Sequence, residues 1–140
     1  MILNDEKVLE VIGQANLLKN TNYYFSGTVM PTPAQYALLG VFSNLLKEVS
    51  GYIINYTEEG IGIIPINNMS GKPMIDNAYF IPNSSIQKVE INKGGLFFYK
   101  KITIVDNNNQ SISFKVVKNV LPMKKYKENL EAFIQAYSNK

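Results

Sequence analysis

Apolar residues near the start of the chain recur every three or four positions, which is the spacing of one face of an α-helix. Asn4 is well suited to begin this helix, because its side chain can accept a hydrogen bond from a free backbone N–H group. Asp5 and Glu6 follow, where the helix dipole favours acidic side chains. The pattern predicts a helix that ends near residue 20, with its apolar positions at Val8, Val11, Ile12, Ala15 and Leu18.

A different pattern, rich in β-branched and aromatic residues, predicts strands through much of the remaining chain. One strand is expected at residues 23–30, because Pro31 and Pro33 end it. After Gly51, turn signals rather than helical stretches separate the candidate strands, which favours antiparallel connections. Residues 67–77 are expected to form a surface loop. The six later candidates are residues 52–57, 61–66, 79–81, 85–92, 96–105 and 111–117.

Residues 34–46 predict a second amphipathic helix, with a wide apolar face. At thirteen residues this segment is shorter than the roughly 18 to 20 that a helix needs to cross a bilayer. It is packed on the core of its own domain, or it is a surface for a partner or second copy, or it contacts a membrane interface. The candidate contact residues on this face are Leu38, Val41, Phe42 and Leu45.

The end of the chain predicts a last helix, since Pro122 suits a first helical turn and helical spacing follows it. No internal repeat or long linker divides the chain, so we expect one globular unit at residues 21–140 with an N-terminal helical extension at 1–20. The fold class predicted is mostly β with α: a small antiparallel β-barrel or sandwich closed by this helix. Its apolar stripe is Tyr126, Leu130, Phe133, Ile134 and Tyr137.

Three stretches have the order and spacing of a known family. They are YIINYTEEGI at residues 52–61, FIPNSSIQKV at 80–89, and LFFYKKITI at 96–104 after Gly94 and Gly95. Over residues 51–118, and to about 138 with the last helix, the chain resembles bacterial pleckstrin-homology-like (PH-like) domains. The resemblance implies a binding fold. Phosphoinositide-binding members carry a basic motif around the loop joining their first two strands, whereas here that connection is the apolar 34–46 segment with Lys47 its only base.

The residue inventory excludes several kinds of chemistry. The 140 residues include no cysteine and no histidine, which rules out disulfides, thiol nucleophiles, thiolate or imidazole metal sites and a Ser-His-Asp triad. The acidic residues are scattered over turns, loops and a helix, and no spacing brings a pair together. We therefore expect a protein that is not an enzyme and that uses no cofactor and no metal.

All 14 basic residues are lysines, so the forked guanidinium that suits phosphate and base recognition is missing. Lysine-only usage, together with many isoleucines and asparagines, is typical of an AT-rich bacterial coding sequence. Acidic residues stand near the start of the chain, where a signal peptide needs positive charge. We expect a cytoplasmic protein, with peripheral membrane contact as a further option.

Charge is unevenly distributed along the chain. Residues 1–87 hold four lysines against seven acidic residues, and residues 88–140 hold ten against four, within a net charge of +3. Lys100 and Lys101 are adjacent, so a regular strand cannot present both outward, and we expect one of them at an edge or a bulge. The candidate residues for an anionic surface are Lys100, Lys101, Lys115, Lys118, Lys124 and Lys125. The alternative is a solvated face with edge lysines that discourage strand aggregation.

These observations together predict a non-catalytic PH-like binding module that docks on a protein partner or on an anionic membrane surface. The alternative is a scaffolding domain that acts through self-association. Nucleic acid is not favoured as a partner, because the net charge is small and the predicted fold is not a common nucleic-acid module.

Overall fold

The computed structural model describes residues 4–29, 48–93, 99–117 and 123–138. Within these ranges two helices flank seven strands. Helix α1 is Asp5–Gln14 and helix α2 is Tyr126–Ser138. The strands are β1 (Asn22–Val29), β2 (Val49–Thr57), β3 (Gly60–Asn67), β4 (Tyr79–Pro82), β5 (Ile86–Lys93), β6 (Tyr99–Asp106) and β7 (Ser111–Val117).

The strands form one sheet in the order β4-β3-β2-β1-β7-β6-β5, with every neighbouring pair antiparallel. The sheet curls into a half-barrel, and α2 packs across it against β1 and β5. The described part of β1 meets β7 only where Thr28 pairs with Lys115 and Val29 with Phe114. The predicted fold class, mostly antiparallel β with an N-terminal and a C-terminal helix, is confirmed.

Aromatic side chains fill the space between the sheet and α2. Phe133 of α2 lies 5.0 Å from Phe25 and 5.6 Å from Tyr56, measured between ring centroids. Edge-to-face contacts of this kind add about 0.5 to 1.5 kcal/mol beyond the burial of the rings. The predicted stripe on α2 is therefore confirmed as a core face: Tyr126, Leu130, Phe133 and Tyr137 are buried, and Ile134 is half-buried.

Helix α1 begins as predicted and ends earlier. Asn4 Oδ1 accepts a hydrogen bond of 2.8 Å from the Lys7 N–H group, which confirms the N-cap. The prediction that the helix ends near residue 20 is wrong, because Asn16 adopts the left-handed conformation, with a φ of 59°. The Leu17 N–H group then donates back to the Ile12 carbonyl oxygen at 3.0 Å, a closure typical of helix ends.

This early end lets α1 and the residues after it cover the outer face of the sheet. Tyr52 and Tyr56 point into the core with the aromatic rings, so Ile53 and Asn55 between them face outward. Both are nevertheless buried, and the Asn55 side-chain amide donates to the Leu17 carbonyl oxygen at 3.3 Å. The core therefore extends to the outer face of the sheet, where Val8, Val11, Ile12 and Leu17 are buried.

The predicted turn between β2 and β3 is confirmed, and it requires a glycine. Gly60 has a φ of 153°, and a Cβ atom there would collide with the carbonyl oxygen of Ile81 on β4. Thr57 Oγ1 donates to the Gly60 carbonyl oxygen at 2.9 Å and accepts from the Glu59 and Gly60 N–H groups at 3.2 Å each. The hydroxyl thus fixes the turn.

Most strand bounds agree with the predictions to within one residue, and β7 matches at both ends. β2 starts three residues earlier than predicted, at Val49. Several predictions fall outside the described residues: the 34–46 helix, the first three residues of the strand predicted at 96–105 with Gly94 and Gly95 before it, and Pro122.

Candidate docking surfaces

Five of the six predicted lysines lie in the described part of the chain, at three separate places. Only Lys101 and Lys115, which are distant in sequence, are brought side by side. Lys101 on β6 lies directly opposite Lys115 on β7, and directly opposed side chains share one face of a sheet. Lys101 also pairs with Asn92 on β5, and Lys115 with Thr28 on β1. One row across four strands thus holds two lysines and two uncharged polar residues. We call Lys101 and Lys115, with Thr28 and Asn92 beside them, the basic face.

Lys100 lies on the other side of the sheet. It pairs with the buried Val116, and it lines a groove beside α2. β6 is regular here, since its pairing with β7 runs without a shift from Tyr99 to Val105. The expectation that Lys100 or Lys101 sits at an edge or a bulge is wrong, because the alternation of the strand sends the two side chains to opposite faces.

Lys124 and Lys125 stand at the start of α2, and both are exposed. Their backbone N–H groups donate to the Asp5 carboxylate, at 2.8 Å from Lys124 to Oδ2 and 3.4 Å from Lys125 to Oδ1. The Tyr24 hydroxyl donates to the same carboxylate at 2.7 Å. Burial, and after it this hydrogen bond, raises the pKa of Tyr24. Asp5 therefore caps α2 from α1, and the lysine backbone has a structural role.

The remaining predicted site residues are Lys118 and the apolar contact residues Leu38, Val41, Phe42 and Leu45. All five lie outside the described residues.

A cavity of about 230 Å³ adjoins the basic face, and sequence reasoning missed it. Lys115 lines it together with the hydroxyl-bearing residues Ser26, Thr28 and Ser50. These residues come from β1, β2 and β7, so only strand pairing brings them together. Their separation along the chain leaves no local signal, although the alternation of polar residues on β1 is visible in the sequence. Hydroxyl groups beside a lysine can donate hydrogen bonds to an anionic group.

A larger cavity of about 400 Å³ lies between the end of β2, strand β5 and the last turn of α2. Tyr56, Glu58, Lys88 and Tyr137 are among its lining residues. The Glu58 carboxylate already accepts the N–H groups of Asn20 and Thr21 at 2.9 and 3.0 Å. Hydrogen bonds from backbone N–H groups, its own first, lower the pKa of Glu58. This carboxylate holds the α1–β1 connection in place.

In the ranges that the structure describes, no acidic residues gather in a group that could hold a metal ion. None of the helices in those ranges combines the length and the apolar character that crossing a membrane requires.

No protein-family model matches this sequence, and a search of curated proteins also finds no match. Among solved structures, the chain is similar to the pleckstrin homology (PH) domain of USP37, with 13% sequence identity and a TM-score of 0.44. The alignment covers 85% of this chain and 97% of that one. Such a similarity is too low to transfer a function. Membership of a bacterial PH-like family stays a prediction.

Proposed function

We propose that this protein is a non-catalytic binding module that docks on an anionic membrane surface through its basic face. The observation that carries the proposal is the pairing of Lys101 with Lys115. Directly opposed Cβ atoms in an antiparallel sheet are about 4.5 to 5.5 Å apart, and like charges carried by directly opposed side chains are destabilising. An anion placed over both ammonium groups relieves the repulsion and is attracted by their summed potential.

The surroundings of the two lysines support an anionic partner. The residues paired with them on the flanking strands, Thr28 and Asn92, are uncharged, so the row carries no acidic side chain. Thr103 and Ser113, the next cross-strand pair on this face, hydrogen-bond to each other at 2.9 Å. The hydroxyl-lined cavity beside Lys115 adds donors at the edge of the face.

The expected affinity is modest. A lysine close to an acidic membrane contributes about 1 kcal/mol, so two give weak and reversible binding. The attraction fades beyond a Debye length of about 8 Å at physiological salt. Docking through this face alone should therefore depend strongly on ionic strength.

Sedimentation with lipid vesicles tests the proposal. Wild-type protein is expected to bind vesicles that contain phosphatidylserine at low salt, to bind less at physiological salt, and to leave pure phosphatidylcholine vesicles unbound. The Lys101→Glu/Lys115→Glu variant should lose most of this binding. Lys7→Glu/Lys72→Glu is the matched control, because it makes the same charge change at two lysines that line a different groove.

Equal loss of binding in the two double variants would show that net charge, and not the basic face, attracts the vesicles. Absence of binding to anionic vesicles even at low salt would end the membrane proposal. Self-association through Leu38, Val41, Phe42 and Leu45 stays the alternative, and light scattering on the same samples tests it.

A further inference from the structure

A groove of about 400 Å³ runs between α2 and β6, on the opposite side of β6 from the basic face. Its volume lies in the range of about 300 to 1,000 Å³ that is typical of ligand pockets. Among the described residues, β6 contributes one side chain to the lining and α2 contributes five. The lining residues are Lys100, Lys127, Leu130, Glu131, Ile134 and Gln135.

The helix residues in this groove form a single stripe, since they recur at three- and four-residue intervals. Leu130 and Ile134 are its apolar members, and both also pack against the core. The groove therefore rests on residues that the fold holds in place, which limits the ordering cost of binding.

Lys100 and Lys127 bring positive charge to the two walls. Two ion pairs are formed within the described ranges, Lys19 with Glu59 and Lys88 with Glu90. Neither of them involves Lys100 or Lys127. Glu131 is the one acidic residue among the described residues that line the groove. A carboxylate entering between the two lysines meets a net positive charge.

We propose that this groove binds a short acidic segment of a partner protein, with a carboxylate between Lys100 and Lys127 and a neighbouring aliphatic side chain against Ile134. A peptide fits these residues better than a fatty acid does. A long acyl chain needs an extended apolar channel, whereas the described lining residues alternate two apolar side chains, Leu130 and Ile134, with polar ones. Gln135 offers amide hydrogen bonds that a peptide backbone uses and an acyl chain cannot.

The proposal is independent of membrane docking, because adjacent lysines of one strand serve opposite faces. Lys101 belongs to the basic face and Lys100 to the groove. A partner peptide and an anionic surface can therefore be held at the same time.

Phage display of random 12-residue peptides on the full chain tests the inference. The enriched peptides should place an acidic residue next to leucine, isoleucine or valine. A synthetic, fluorescently labelled copy of the strongest one is then the probe for anisotropy titrations. Lys100→Glu/Lys127→Glu should weaken its binding at least tenfold at low salt, and less at high salt. Lys7→Glu/Lys72→Glu carries the same charge change at another groove and should stay within twofold of wild type.

Amide NMR spectra locate the bound peptide. The largest shifts are expected at Lys127, Leu130, Glu131, Ile134 and Gln135. Circular dichroism establishes that each variant is folded; should the double reversal unfold, Lys100→Gln and Lys127→Gln are measured singly, with a loss of about threefold expected for each.

Each of these results would overturn the proposal: no enrichment, enriched peptides without acidic residues, equal binding by the groove and control variants, or shifts confined to another surface. Decanoate serves as a competitor. If decanoate shifts the groove amides while no enriched peptide does, the ligand is an aliphatic acid and the peptide proposal is wrong.

Discussion

Strands β1 to β3 and strands β5 to β7 belong to one sheet, yet the two halves are covered differently. In the first half the inner face packs on α2 and the outer face is buried under α1 and the residues after it, so Ile53 and Ile54 are both 1% exposed or less. In the second half the inner face is buried, whereas the outer face is covered only in part, at Val105 and Ser113. Ile102 and Ile104 are fully buried on the inner face of β6, while Lys101 and Thr103, which face outward, are half-exposed.

The difference teaches where this fold can hold a binding surface. A strand covered on both faces is apolar almost throughout, whereas a strand covered on one face alternates. The second half therefore has room for charged residues at no cost to the core. Both docking surfaces proposed above use β6, a strand of that half.

The largest loss of stability is expected where α2 packs against both halves of the sheet. Phe133→Ala removes the ring that contacts Phe25 and Tyr56, and it should lower the free energy of unfolding by about 3 to 5 kcal/mol. Urea titration followed by circular dichroism measures this. A loss below about 1 kcal/mol would mean that α2 is an appendage of the sheet.

Substitutions on the outer face test the comparison directly. Ile53→Ala, under α1, should cost about 2 to 4 kcal/mol. Thr103→Ala, on the uncovered half, should cost about 1 kcal/mol, since it removes the hydrogen bond to Ser113. Equal costs in the same urea experiment would contradict the difference in cover.

Alkaline pH should weaken the contact of α2 with the sheet. Burial raises the pKa of Tyr126 to about 12, and burial, with nearby Tyr56, raises that of Tyr137 to about 12. A raised pKa means that the folded state holds the proton more tightly, so this stabilisation is complete below about pH 10 and is lost as pH rises towards 12. At pH 11 each tyrosine should lower the free energy of unfolding by about 1 kcal/mol relative to neutral pH.

Urea unfolding across pH 8 to 12, with tyrosinate absorbance recorded in parallel, measures that loss. With no histidine in the sequence, stability should be flat from pH 6 to 8. A transition in that neutral window would reveal a perturbed carboxylate or lysine.

The cap on α2 should give a smaller effect. Asp5→Ala removes the acceptor for Lys124, Lys125 and the Tyr24 hydroxyl, and it should cost about 0.5 to 2 kcal/mol. Asp5→Asn keeps an oxygen acceptor and should recover part of the loss. Hydrogen exchange at the first turn of α2 is the sensitive measurement, and unchanged protection there in the alanine variant would rule out the cap.

The smallest expected effect is a gain in stability rather than a loss. Lys101→Gln removes the repulsion with Lys115 and should stabilise the protein by about 0.2 to 1 kcal/mol. The gain should shrink at high salt, because screening weakens the repulsion that the substitution removes. A destabilised variant would show that Lys101 has a structural partner.

Periodicity was sufficient to predict most of the strands, since each depends on residues next to one another in the chain. The strand predicted at 111–117 is confirmed as β7, and its alternation buries Ile112, Phe114 and Val116 while Lys115 faces outward. The end of α1 was predicted too late. Leu18 continues the helical spacing of apolar residues, although Asn16 has already left the helical conformation. A single left-handed residue has little effect on a pattern of apolar positions.

The candidate site was harder to predict, because it depends on register. The sequence shows Lys100 and Lys101 as one basic pair, but it does not reveal which strand lies beside them. Only the pairing of β6 with β7 places Lys101 against Lys115. The cap by Asp5 is equally hidden, because it reaches Lys124 across 119 positions of the chain.

That long-range cap has a consequence for synthesis on the ribosome. Asp5 on α1 holds the start of α2, and β1 contacts both helices, so this part of the structure cannot close before α2 has emerged. At about 5 to 20 residues per second, the N-terminal strands wait on the order of 10 s for α2. During that time their apolar inner faces are open to chaperones, and a C-terminal tether that delays release of the nascent chain should prolong this exposure.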